Sequence, residues 1–158
     1  MFPESLVVEE PLYNITCQTN AVGFEFVNIK HLWMKCITFI GCGNKASLIQ
    51  QFTIENCTFE GQNYSRTALE IDNTTTKISN SLFLTNVADH CICVFTNEVG
   101  DVCVSVAGAL LIAQSNAIIT SSTFEHNSAE IGGAMYIHSS SNVSIIDSTF
   151  ISNEATNS

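Results

Sequence analysis

Ile145-Ile-Asp-Ser-Thr-Phe150 and, one repeat earlier, Ile119-Thr-Ser-Ser-Thr-Phe124 are two copies of one pattern: an apolar residue, a short polar turn and a phenylalanine anchor. The pattern returns upstream in Ile78-Ser-Asn-Ser-Leu-Phe83, Ile54-Glu-Asn-Cys-Thr-Phe59 and Met34-Lys-Cys-Ile-Thr-Phe39. The anchors are evenly spread except between Phe83 and Phe124, where the interval is nearly doubled. A weaker copy ends at Cys17. Self-similarity at a period of roughly 20 to 26 residues, built from short β-branched segments without helical periodicity, marks a solenoid in which each repeat is one rung. No rung can bury its apolar face alone, so rungs must stack, with strands parallel and about 4.8 Å apart.

Side-chain parity inside one copy gives the cross-section. Val143 and Ile145 share one face and Ser144 and Ile146 the other; at Asp147 the alternation breaks and Ser148 and Phe150 return to the first face. In the five copies the break falls on Cys36, Asn56, Asn80, Ser121 and Asp147. Asn and Asp best tolerate the left-handed backbone that a sharp corner needs, so each break reads as a corner. Stacking then gives two inward columns: Phe39, Phe59, Phe83, Phe124 and Phe150 in one, Met34, Ile54, Ile78, Ile119 and Ile145 in the other. Asn86, Asn127 and Asn153, each at the same offset after an anchor, are placed either as an amide ladder between rungs or as simple turn caps. A second apolar strand opens at Ala46-Ser-Leu-Ile, Ala68-Leu-Glu-Ile, Ala109-Leu-Leu-Ile and Ala134-Met-Tyr-Ile.

Composition agrees with an all-β rod. Of 158 residues 46% are hydrophobic and only 13% charged, while Ser, Thr and Asn supply the polar coat. An amphipathic helical protein would cover its surface with Glu, Lys and Arg instead, and a disordered chain would not be so apolar. Five basic residues against 15 acidic ones, net charge −10, argue against nucleic acid and anionic membranes as partners. No apolar run reaches the length of a transmembrane helix. Residues 1–10 do not read as a signal peptide, yet sequons stand at Asn14, Asn56, Asn63, Asn73 and Asn142, as on a glycosylated extracellular protein. Residues 1–158 are therefore expected to be a single β-helix segment of a longer extracellular or cell-surface protein. Residues 152–158 follow the last anchor without a cap sequence, which fits that expectation.

Phe124-Glu-His-Asn127-Ser-Ala129, Gly132-Gly133-Ala134-Met135 and Ser148-Thr-Phe150-Ile-Ser-Asn153-Glu-Ala155 resemble the repeats of polymorphic outer membrane proteins, with their Gly-Gly-Ala-Ile and Phe-x-x-Asn motifs. More broadly they are similar to the parallel β-helix repeats of the pectin-lyase-like class. Ala107-Gly108-Ala109 is a near match to the glycine element, and the N-terminal segment 1–60 fits in spacing only. The resemblance implies a right-handed parallel β-helix, here of about six rungs, on a surface or secreted protein that is often adhesive.

From Phe83 the next strand-opening alanine is as far away as Ala109, whereas Ala46, Ala68 and Ala134 closely follow Phe39, Phe59 and Phe124. Residues 89–107 therefore read as an inserted loop or hairpin, preferred over a degenerate rung, and protruding loops of this kind carry binding surfaces. A hairpin centred near Glu98 sets Cys93 opposite Cys103, a candidate disulfide. His90, Cys91, Cys93 and Cys103 reach the ligand count of a zinc site, but Cys-x-Cys is weak metal spacing and an extracellular setting favours a disulfide. Cys17 and Cys57 read as small core residues, and Cys36 and Cys57 as neighbours whose side chains diverge.

Neither paired carboxylates nor an Asn-x-Asp element marks a catalytic site; Asp72, Asp89, Asp101 and Asp147 fall at different rung positions, and the histidines are scattered. No metal or cofactor is expected. The first reading is a non-enzymatic scaffold or adhesin-like module that contacts glycans or a cell-surface protein through its loops. A fragment of a pectin-lyase-like carbohydrate-active enzyme is the alternative.

Overall fold

The computed structural model describes residues 5–8, 13–16, 22–61, 63–64, 67–88, 92–94 and 102–156. These residues form an all-β stack in which every pairing is parallel except one hairpin. The chain passes through four sheets in turn and starts again one level on. The first sheet takes Ser5–Val8, His31–Lys35, Gln51–Glu55, Thr75–Ser79, Asn116–Thr120 and Asn142–Ile146 in that spatial order. The second takes Tyr13–Thr16, Ile37–Ile40, Thr58–Glu60, Leu82–Leu84, Thr123–Glu125 and Thr149–Ile151. A short third sheet is made of two-residue strands from Asn63–Tyr64 to Glu154–Ala155. The fourth runs from Val22–Val27 through Gly43–Ser47, Leu69–Asp72 and Leu110–Ala113 to Met135–His138. This is a parallel β-helix.

Register turns the sequence repeats into columns. Phe59, Phe83, Phe124 and Phe150 pair strand to strand, as do Met34, Ile54, Ile78, Ile119 and Ile145. Phe39 continues the first column, and its rings repeat at 5.1, 4.8, 4.7 and 4.8 Å with interplanar angles of 15° falling to 3–4°. Strand spacing imposes this face-to-face stack, which isolated rings would trade for an offset one. From Phe39 to Phe124 the rings are fully buried, each side chain contributing about 1.5–3 kcal/mol of transfer energy. Ile145 and Phe150, in the last described turn, remain 42% and 44% exposed.

Three lines of left-handed residues turn the chain. Cys36, Asn56, Asn80, Ser121 and Asp147, all between the first and second sheets, have φ of 48–57°. Gly41, Gly61, Thr85, His126 and Ser152 follow the second sheet, and Asn28, Leu48, Asn73 and Gln114 lead from the fourth back to the first. Leu48 and Thr85 bear a steric cost there that Asn or Gly would avoid. Corner N–H groups donate to the next level, as Asn80 N does to Thr120 O at 3.1 Å and Ser121 N to Ile146 O at 3.0 Å.

One alignment of the sequence analysis is corrected. Ala46 pairs with Ile71, not with Ala68, because Asn44 stands opposite Leu69. The turn through Gly41 and Cys42 enters the fourth sheet without a third-sheet strand, so the Ala46 repeat starts earlier than its alanine suggests.

The glycine elements have a steric cause. A Cβ on Gly133 would lie 2.2 Å from Glu154 O, and one on Gly108 would lie 2.3 Å from Gly133 O and 2.7 Å from Ser128 O. Successive levels cross at these points with room for backbone only.

Candidate functional site

Strand alternation sends one set of first-sheet side chains into the core and the other into solvent. Register sorts the outward set into three adjacent columns, of which one, Lys35, Glu55, Ser79, Thr120 and Ile146, runs beside the corner to the second sheet and outside the groove, and the other two line it. His31, Gln51, Thr75, Asn116 and Asn142 form one; Val7, Trp33, Thr53, Lys77, Ile118 and Ser144 form the other. Between Gln51 and Ser144 they line a groove of about 500 Å³. A smaller hollow of about 290 Å³ continues it past Trp33 and His31 toward Val7. Along the adjoining corner, Asn28, Gln50, Asn73, Gln114 and Asn116 line a polar hollow of about 530 Å³ that shares Thr75 and Asn116 with the groove.

The groove is chemically uniform. Amides and hydroxyls alternate with small apolar patches, Trp33 is 39% exposed at one end, and Lys77 is the charged residue among the lining. No carboxylate lies in either groove column, although the chain carries 15 acidic residues. His31 Nδ1 and Gln51 Oε1 are 3.0 Å apart, and Lys35 Nζ sits 5.9 Å from the centre of the Trp33 ring. Carboxylates are engaged elsewhere. Glu70 binds Lys45 at 2.8 Å on the fourth sheet, a hydrogen bond that raises the lysine pKa above its ordinary value. Glu125 lies 3.4 Å from His126, and Glu130 exchanges bonds with Ser105 through Ser105 N to Glu130 Oε2 at 3.0 Å and Glu130 N to Ser105 Oγ at 2.9 Å.

Asn86, Asn127 and Asn153 are brought together as a ladder. Asn86 Nδ2 donates to Asn127 Oδ1 at 2.9 Å, and Asn127 Nδ2 to Asn153 Oδ1 at 2.8 Å. The same amides donate to the anchor carbonyls one level back: Phe59 O, Phe83 O and Phe124 O, at 2.9, 3.0 and 2.8 Å. Each accepting oxygen also takes the backbone N–H of the preceding asparagine. Two hydroxyl ladders, which sequence reasoning missed, occupy the other corners. Ser81, Ser122 and Ser148 bond in sequence at one, and Thr74, Ser115 and Ser141 at the other, the Oγ of each later member accepting the backbone N–H of the one before it. A polar residue directly after each left-handed corner is the signal that would have found them.

Other singled-out residues are spread over the rod. Asn56, Asn73 and Asn142 are exposed. Asn14 lies opposite Thr38 and Asn63 opposite Val87, their side chains outside the described residues. Ile92–Val94 pairs antiparallel with Val102–Val104, with Cys93 facing Cys103 in register. The side chains of both cysteines, together with His90, Cys91, Asp89 and Asp101, lie outside the described residues. On the flanking levels Leu84 pairs with Glu125 and Ile71 with Ile112, so the Phe83 and Phe124 turns are direct neighbours. Cys36 and Cys57 are thiols, and burial pushes the Cys57 thiol up. Cys42 is disulfide-bonded, and its sulfur lies 3.4 Å from Ile15 O. Among the described residues no cluster of His, Cys, Asp and Glu could hold a metal ion, and no helix is long and apolar enough to cross a membrane. No protein family, curated protein or solved structure matches this chain.

Proposed function

We propose that this β-helix is a non-enzymatic, secreted or cell-surface module that binds glycan chains along the groove of its first sheet. The reading places it in the pectin-lyase-like class, with repeats of the polymorphic outer membrane protein type. The observation that carries it is the groove lining: Gln51, Thr53, Thr75, Asn116, Asn142 and Ser144 offer donors and acceptors suited to sugar hydroxyls, without a carboxylate. Trp33 at the end of the run supplies an apolar ring face on which a pyranose can stack. Repetition about every 4.8 Å along the rod favours a linear polymer contacted many times over a compact ligand held once. The Cys42 disulfide and the five sequons support an oxidising, extracellular setting.

A glycan array followed by titration calorimetry on the best oligosaccharide tests this. Trp33→Ala and Asn116→Ala should each weaken binding, while removal of residues 89–107 should leave it unchanged. Loss of binding only on removing residues 89–107 would move the site to that segment. New sugar ends during incubation would mark the carbohydrate-active enzyme instead.

A further inference from the structure

We infer that Asn142 is an N-glycosylation site whose oligosaccharide lies in the first-sheet groove and closes it. Asn142 and Ser144, the two sequon residues that define the acceptor, are both exposed and both line the groove, because residues two apart on a strand share a face. Their strand, Asn142–Ile146, pairs with Asn116–Thr120, and from there the groove leads directly along Asn116, Ile118, Thr75 and Lys77. Ile118 is 49% exposed and lies beside this path, an apolar patch for the first sugar ring to cover.

Asn56 and Asn73 are different. Both occupy left-handed corners, with φ of 53° and 46°; Asn56 lies at the corner away from the groove, and Asn73 lines the polar hollow beside it, off the groove floor. In the modification, the Asn142 amide nitrogen forms a bond to the anomeric carbon of an oligosaccharide carried on a lipid pyrophosphate. The anomeric C–O bond to pyrophosphate breaks, the lipid pyrophosphate leaves, and the amide loses one proton to solvent. The bound sugars then occupy the surface on which an external glycan would sit. Asn142 occupancy thus sets the fraction of molecules with an open groove, whatever ligand that groove takes.

The experiment uses the whole chain secreted from a glycosylating eukaryotic host. Glycopeptide mass spectrometry measures occupancy at Asn142, and an amine-reactive ester measures the labelling rate of Lys77, two levels away across the groove, against Lys35 as internal reference. The expected result is substantial occupancy with Lys77 labelling slowed several-fold, restored by enzymatic deglycosylation and in Asn142→Gln. Asn56→Gln should leave the rate unchanged. An unoccupied Asn142 beside an occupied Asn73, or an occupied Asn142 with unchanged Lys77 labelling, would overturn the inference. Neither readout uses an added glycan, so failure here is distinguishable from failure of the binding proposal.

Discussion

Asn127 is the residue whose loss should be felt most sharply for its size. It is fully buried, and its side chain makes four hydrogen bonds: from Asn86 N at 3.1 Å and Asn86 Nδ2 at 2.9 Å to its oxygen, and from its Nδ2 to Phe83 O at 3.0 Å and Asn153 Oδ1 at 2.8 Å. Asn127→Ala removes all four. Asn86 Nδ2 keeps Phe59 O, and Asn153 Oδ1 keeps Asn127 N, so those two groups are only partly stranded. Asn86 N–H loses this bond inside a dry core, while the Phe83 carbonyl, within the parallel Leu82–Leu84 and Thr123–Glu125 ladder, is also only partly stranded. At about 1–3 kcal/mol for the stranded N–H, plus about 1 kcal/mol for the bonds partly lost, the cost comes to roughly 2–4 kcal/mol. A single domain holds only about 5–15 kcal/mol in total. Asn153→Ala is the control, since Asn153 is half-buried and water can replace its bonds, for a cost of about 1 kcal/mol. Urea unfolding followed by circular dichroism reads both. Equal, small losses in the two variants would refute the reasoning and reduce the ladder to a set of turn caps.

Gly133→Ala should destabilise by several kcal/mol or force a local separation of levels, since its Cβ would meet Glu154 backbone at 2.2–2.7 Å; an unchanged melting temperature would contradict the close approach. Thr76 lies inward between Phe52 and Ala117, and its buried hydroxyl has no hydrogen-bond partner among the described residues, so Thr76→Val should raise stability by about 1 kcal/mol. A loss on that substitution would show that the hydroxyl is satisfied. For pH, two groups among the described residues are shifted upward: the Lys45 amine through its Glu70 hydrogen bond, the Cys57 thiol through burial. Each contribution is fully present below the unfolded-state pKa and lost as pH rises through the folded one, so stability should decline above about pH 8.5. Cys57→Ala and Lys45→Met should each flatten that decline, and a urea midpoint constant across the alkaline range would contradict it.

How far the sequence carried this structure depends on how local each signal is. A parity break at Asn56, Asn80 or Asp147 is written in a few consecutive residues, and it located a corner that the backbone takes at positive φ. Phe59, Phe83 and Phe124 were legible as a column because strand pairing converts a shared motif position directly into contact. The fourth-sheet register at Ala46 was not, because it depends on the turn length through Gly41 and Cys42, and Ala68 offered a similar alanine in the wrong register. The groove was harder still. His31, Gln51, Thr75, Asn116 and Asn142 follow no common motif position of one residue type, so only the register makes them a column. Nor does sequence spacing distinguish Cys42 in a disulfide from Cys57 as a buried thiol.

The central claim is that the Phe83 and Phe124 turns stack directly although the long segment 84–123 separates their anchors in sequence. Leu82 and Thr123 are register partners on the outer side of the second sheet. Neighbouring strands lie about 4.8 Å apart, within the roughly 4.4–6.8 Å that a disulfide spans. Oxidation of Leu82→Cys/Thr123→Cys, read by non-reducing peptide mapping, should give the 82–123 cross-link in high yield. The pair Leu82→Cys/Thr149→Cys, two levels apart, should give none. Absence of the first cross-link, or equal formation of the second, would mean that residues 89–107 form a level of their own, and the stack described here would be wrong.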